Sequence, residues 1–185
     1  MTDDSPRVPV VTAKSQLPEE HRHHYERIEN SRGHVSGPFA VLLNSPELGG
    51  RIADVGTHVR FEGTLTDATR ELAILVTARE LDCAFEWVYH EPLAREADVN
   101  EAAIDAVVTR AATDELAERE AVVVQYGREL FDDHEVSDEV FRSAAERFGV
   151  RGVTELTATM GYYSMLACVL NALEVLPDGG EPGSW

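Results

Sequence analysis

The stretch Arg70–Ala94, RELAILVTARELDCAFEWVYHEPLA, decides how this chain is read. Upstream of it, Thr66 and Asp67 are both suited to cap a helix, and Leu65, Ala68, Leu72, Leu75 and Arg79 then recur at helical spacing. Asp82 looks like a second cap, so the spacing predicts two successive helices, the second ending near Ala97. The second helix carries a thiol, a carboxylate and an imidazole at Cys83, Glu86 and His90. If it begins at Asp82, those three side chains project within an arc of roughly 60°.

The rest of the chain has the same period. A short helix is expected from Leu17 through Ile28, and Asn30–Pro38 is rich in Gly, Ser and Pro and reads as a loop. Short helices follow at Phe39–Leu43 and Glu47–Phe61, the latter with Ser45 as cap and Pro46 as first helical residue. Gly63 then breaks the chain. Asn100 caps another helix, and three more fit Asp114–Leu130, Asp138–Phe148 after Ser137, and Thr154–Leu176. AVVVQY at 121–126 is rich in β-branched residues but lies inside a longer helical period. The expected class is all-α, with residues 1–16 as a poorly ordered arm, 17–176 as a single helical domain and 177–185 as a loose tail.

Composition excludes several classes. The chain has 185 residues and a formal charge of −18, and its pI is near 4.6. With no basic cluster to reverse that field locally, a phosphate backbone is repelled and nucleic acid is not expected as a partner. Lys14 is the only lysine among 16 cations, which reflects a GC-rich genome or a salt-adapted surface rather than a binding site. Cys83 and Cys168 are the only cysteines, and no hydrophobic signal precedes them, so a reducing cytoplasm is expected and a disulfide framework is not. Leu156–Leu173, LTATMGYYSMLACVLNAL, is uncharged, but its hydroxyls, tyrosines, Gly161 and Asn171 suit a core or interface helix better than a membrane span.

Several polar residues around the opening stretch have the makings of a site. A thiol in the first turn of a helix is favoured as thiolate by the unpaired N–H groups there. Glu86 and His90 are four apart, so the carboxylate can reach and orient the imidazole. Glu71 shares a face with Ala68, Leu75 and Ala78, where a carboxylate needs a partner or a raised pKa. If the two helices pack as an antiparallel pair, Glu71 approaches Cys83 and His90 from the opposite side and a proton relay results. The competing reading has Cys83 as a small core residue, Glu86 as a solvated acid and His90 as a satisfied interior histidine. No paired His or Cys motif accompanies the set, so a metal is not expected. His21, His23 and His24 with Glu26 in EEHRHHYE read as an exposed helix face, and Asp132–Glu135 as a solvated loop.

From Arg32 onward the chain resembles the carboxymuconolactone decarboxylase family, which includes the AhpD-like alkyl hydroperoxidases. The likeness rests on SRGHVSGPFAVLLNSPEL, on the opening stretch, and on VSDEVF with GVTELTATMGYYSMLACVLNAL. It implies an all-helical AhpD-like bundle assembled as trimers or hexamers, a small-molecule substrate and no cofactor. It also implies site residues. In the AhpD-like branch the active-site Glu, first cysteine and His correspond to Glu71, Cys83 and His90, while the second cysteine of the CxxC pair falls at Glu86. One cysteine cannot close an intramolecular disulfide, which sets this chain apart from the dithiol mechanism.

The decarboxylase branch needs no redox thiol, and similar proteins keep a Glu-Trp-x-x-His segment like Glu86–His90. The resemblance then implies cofactor-free proton transfer, decarboxylation or isomerisation, on a small organic acid or lactone. His90 would be the acid/base, Glu86 its orienting partner, and Glu71 a proton holder or substrate-positioning group. Arg70 or Arg79 is the nearest cation in sequence for a substrate carboxylate, and Tyr162 or Tyr163 could line the pocket under His90. Two other functions remain open on this scaffold: a peroxidase using Cys83 with an external thiol, and a non-catalytic binding protein.

Overall fold

A computed structural model describes residues 5–177. Its regular structure among those residues is helical: α1 (Arg22–Arg32), α2 (Gly37–Leu42), α3 (Pro46–Thr57), α4 (Asp67–Glu80), α5 (Ala84–Glu96), α6 (Glu101–Thr109), α7 (Glu118–Asp132) and α8 (Asp138–Ala172). The expected all-α class holds among the described residues. Most of the tail, from residue 178, lies outside the described residues.

α4 is the centre of the molecule. Every residue from Leu72 to Ala78 is buried, so the helix is enclosed on all sides by α5, α6, α7 and α8. Leu72, Leu75 and Val76 meet Trp87 of α5, Ile104 of α6, Val123 of α7 and Met160 of α8 in the larger core. Ile74 faces the other way, into a second core shared with Tyr25, Phe39, Ile52 and Tyr163. Leu156, Met160, Leu166 and Leu170 of the uncharged stretch are buried within the chain itself. No helix among the described residues is long and apolar enough to cross a membrane.

Several boundaries differ from those expected. α1 runs on to Arg32 through what reads as a loop, and ends only where Gly33 takes the left-handed φ of 81°. α7 starts at Glu118 rather than Asp114, because 113–116 form a turn closed by Leu116 N–H on Thr113 O. The expected break after Phe148 is present as a kink at Gly149, φ 68° and ψ 173°, inside α8. The N-terminal arm is not loose from residue 7 on: Arg7 N–H donates to Leu173 O, Val11 N–H to Ala40 O, and the Val11 side chain is buried. Proline and charge made the arm look solvated, but its backbone polar groups find partners on the helices it crosses.

Two junctions set up the site. α3 passes into a π-helical turn at His58–Glu62, closed by Gly63 N–H on His58 O. α4 ends in a Schellman motif: Cys83 N–H donates to Ala78 O and Asp82 N–H to Arg79 O, with Asp82 left-handed at φ 47°. Asp82 is therefore the end of α4 rather than the cap of α5. Cys83 takes the cap position with φ −96° and ψ 89°, one residue outside the helix.

Candidate active site

With only Leu81–Cys83 between them, α4 and α5 fold back as a hairpin. Across it Glu71 of α4 meets His90 of α5: His90 Nδ1 lies 2.6 Å from Glu71 Oε2. One helical turn before His90, Glu86 brings Oε2 to 3.3 Å from the other ring nitrogen, Nε2. One imidazole is thus held between two carboxylates, with Glu71 and His90 each 2% exposed and Glu86 4%.

Burial favours a neutral imidazole, but hydrogen bonds to Glu71 and Glu86 and their charges outweigh it and raise the His90 pKa. Burial likewise pushes the Glu71 carboxyl up, and the His90 hydrogen bond with the Arg60 and Arg70 charges more than reverses this. A ring flanked by acceptors at both nitrogens donates to both only as imidazolium. Arg70 braces Glu71 from behind, with Nε and Nη2 each 3.3 Å from Oε1, while its Nη1 pairs with Asp67 at 2.9 Å. The Tyr163 ring stands edge-on to the imidazole, 5.1 Å between centroids.

Glu86 and His90 line a cavity of about 230 Å³. Its floor is α5, and Tyr162 and Tyr163 of α8 form one wall. Arg32 at the end of α1 and Arg60 in the π-helical turn supply two cations to the lining, Arg32 beside Tyr162 and Arg60 near Tyr163. Burial lowers the Arg32 pKa against the pull of Tyr162. Its guanidinium sits 4.2 Å over the Phe39 ring and donates to Ala53 O at 3.0 Å.

Of the four expected site residues, three come together. Glu71 stands behind His90, and Glu86 and His90 face the cavity. Cys83 does not join them. Its side chain is fully buried against Ala167 and Leu170 of α8, and burial pushes its thiol up to about 12 despite nearby backbone N–H groups. The arc joining residues 83, 86 and 90 required Cys83 to be helical, and its cap conformation turns it elsewhere. Cys168 is exposed.

The cations of the cavity are not those nearest in sequence. Arg70 is spent on Glu71 and Asp67, and Arg79 on Val108 O at 3.1 Å and Asp82 at 3.3 Å. Arg32 and Arg60 arrive from elements that nothing in the local pattern ties to His90. At the histidine-rich turn, His21 meets Glu47 at 3.3 Å and the His23 and His24 rings are 3.9 Å apart. No group of three His, Cys, Asp or Glu side chains among the described residues is arranged to hold a metal ion.

Residues 46–129 match the carboxymuconolactone decarboxylase family. The match contains Glu71, Cys83, Glu86 and His90, and leaves Arg32, Tyr162 and Tyr163 outside it. The likeness read from Arg32 onward is therefore shown for a shorter segment than the quoted motifs span.

Among solved structures, an AhpD core, an uncharacterised peroxidase-related protein from Ralstonia eutropha, superposes with a TM-score of 0.74 at 20% identity, covering 93% of this chain and 92% of its own. The debrominase Bmp8 without ligand gives 0.72 at 12% identity, over 92% and 91% of the two chains. A cysteine-to-alanine form of that debrominase in complex with 2,3,4-tribromopyrrole gives 0.71 at 12%, over 90% and 89%. At these identities the shared property is the fold. No curated protein sequence matches the chain.

Proposed function

We propose that this carboxymuconolactone decarboxylase-like protein is an enzyme catalysing cofactor-free proton transfer, in decarboxylation or isomerisation of a small organic acid or lactone. The observation that carries the reading is the imidazole clasped by two buried carboxylates at the floor of a cavity with two arginines.

His90 and Glu86 act as one acid/base unit. The proton rests on His90 Nε2, shared with Glu86 Oε2, and Glu71 on Nδ1 fixes the ring and stabilises its charge. Glu86 Oε1 has no hydrogen-bond partner among the described residues and is the atom left for the substrate. In a decarboxylation the bond to the departing carboxylate breaks and its electron pair passes into a conjugated acceptor. The unit then donates its proton to the resulting enolate carbon and regains one from water. In an isomerisation the same unit takes a proton from one carbon and returns it to another. Glu86 thus has a larger part than orienting the imidazole.

The thiol alternative draws little support from the site. A peroxidatic cysteine works as thiolate on an accessible path, whereas Cys83 is sealed in an apolar cluster with its pKa pushed up to about 12.

The test is a panel of small unsaturated ring acids and lactone acids incubated in D2O, reading carbon dioxide release and deuterium uptake by NMR. Turnover by the parent and its loss in His90→Gln are expected. Equal rates in the two proteins, or no turnover by the parent across the panel, overturn the proposal.

A further inference from the structure

Three buried polar side-chain atoms of residues lining this one cavity make no well-aligned hydrogen bond among the described residues: Arg60 Nε, Glu86 Oε1 and Tyr162 Oη, whose oxygen has the Arg32 guanidinium beside it while its hydrogen is left to donate. A buried orphan donor or acceptor costs about 1–3 kcal/mol. Three of them around one space mark positions where a ligand completes the hydrogen bonding.

Their chemistry describes the ligand. Arg60 Nε is a donor and Tyr162 Oη supplies another, so the two together await an acceptor. Arg60 also supplies the charge that favours an anion there. Glu86 Oε1 is an acceptor and awaits a polar hydrogen. The guanidiniums of Arg60 and Arg32 lie over aromatic rings, Phe61 at 5.6 Å and Phe39 at 4.2 Å, which holds their planes. Phe39, Phe61 and Phe85 give the cavity flat apolar surfaces suited to a ring.

The charges limit the ligand further. Glu71 and Glu86 face His90, Arg32 and Arg60, while Arg70 is matched by Asp67, so one positive charge is left over. That remainder suits one negative charge and not two.

Gly56 makes room for the arrangement. A Cβ there would collide with Tyr162 Oη and come within 2.7 Å of Arg32 Nη2.

We propose that Arg60 and Tyr162, backed by Arg32, form an anion subsite selecting a planar ring acid with a single carboxylate and a polar hydrogen directed to Glu86. The inference rests on the reading of the cavity as the substrate site. It adds which acids enter and which residues choose them, and Arg60 is the principal specificity determinant because Arg32 is already tethered to Ala53 O.

The test is calorimetric binding of 3- and 4-hydroxybenzoate to the parent, against benzoate, the corresponding hydroxybenzamides and the dianion isophthalate. The amides are expected to bind about tenfold or more weakly than the better hydroxybenzoate, as are the ligands to Arg60→Met, with Tyr162→Phe a smaller loss. Benzoate and isophthalate are expected to fall below the hydroxybenzoate as well. Arg60→Lys is expected to recover part of the affinity.

Acids and amides binding alike, isophthalate binding best, or no hydroxybenzoate binding at all would each overturn the subsite. So would an Arg60→Met protein that melts like the parent and binds like it. The comparison of ligands on the parent needs no variant to fold. A failed subsite with turnover still lost in His90→Gln leaves the proton-transfer reading standing. An intact subsite with turnover unchanged in that variant removes only the latter.

Discussion

Cys83 and His90 stand at the start and the middle of one helix, both buried, in surroundings that differ in kind. Around Cys83 are Ala167, Leu170, Leu81 and Phe85. Around His90 are two carboxylates, an edge-on tyrosine and a cavity with two arginines. Burial alone pushes both groups toward neutrality, and it prevails at Cys83. At His90 the paired carboxylates overcome it and the ring holds its proton. The chemistry a buried polar side chain can perform is thus set by the partners that neighbouring helices bring to it, more than by its own exposure.

The sharpest way to break this contrast is at the imidazole. Loss of the acid/base in His90→Gln is expected to lower turnover by about 10²–10⁴-fold, measured on any substrate the parent converts, whereas Cys83→Ala should leave turnover unchanged. Next in size is Glu71→Ala. Removing one partner of a buried charge pair costs about 3–5 kcal/mol, and equilibrium urea unfolding should read a loss of that order, with Glu71→Gln milder.

A third test uses pH. His90 has its pKa raised from 6.5, so its stabilisation is fully present below that value and fades as pH rises through the higher folded one. Glu71 is lowered from 4.5, so its contribution is present above that value and is lost as pH falls through the lower folded one. The parent's stability advantage over His90→Gln should therefore be largest between about 4.5 and 6.5 and shrink as pH rises through the raised folded value of His90. An advantage that grows with pH would refute the imidazolium assignment. The smallest effect is at the thiols: an aromatic disulfide reagent should modify exposed Cys168 in the folded protein and reach Cys83 only on unfolding.

Much of this contrast was legible in sequence, and the limits have physical causes. Thr66 does cap α4, accepting from Thr69 N–H at 3.3 Å, and the hydrophobic period gave that helix its place. Glu71 was conspicuous as a carboxylate among apolar neighbours, and the short turn at Leu81–Cys83 made its meeting with His90 geometrically natural. Asp82 misled because a residue that commonly caps a helix start here ends one in the left-handed conformation, which moved Cys83 off the face of Glu86 and His90. Arg32 and Arg60 gave no signal because their relation to His90 is made by packing between elements distant in sequence. The arm misled for a similar reason: its hydrogen bonds go to Ala40 and Leu173, partners that no local pattern names.

The π-helical turn at His58–Glu62 carries Arg60 on a register with little tolerance. Its closing bond spans five residues where an α-turn spans four, so deleting one residue between 58 and 62 would let the backbone relax to an ordinary helix. Each residue turns the helix by about 100°, and that is the angle by which the guanidinium would swing relative to Gly63 and α4. The cavity would lose one of its two arginines while Arg32, Glu71, Glu86 and His90 kept their places, so a change of chain length, with no change of side-chain chemistry, can switch which molecules this fold admits.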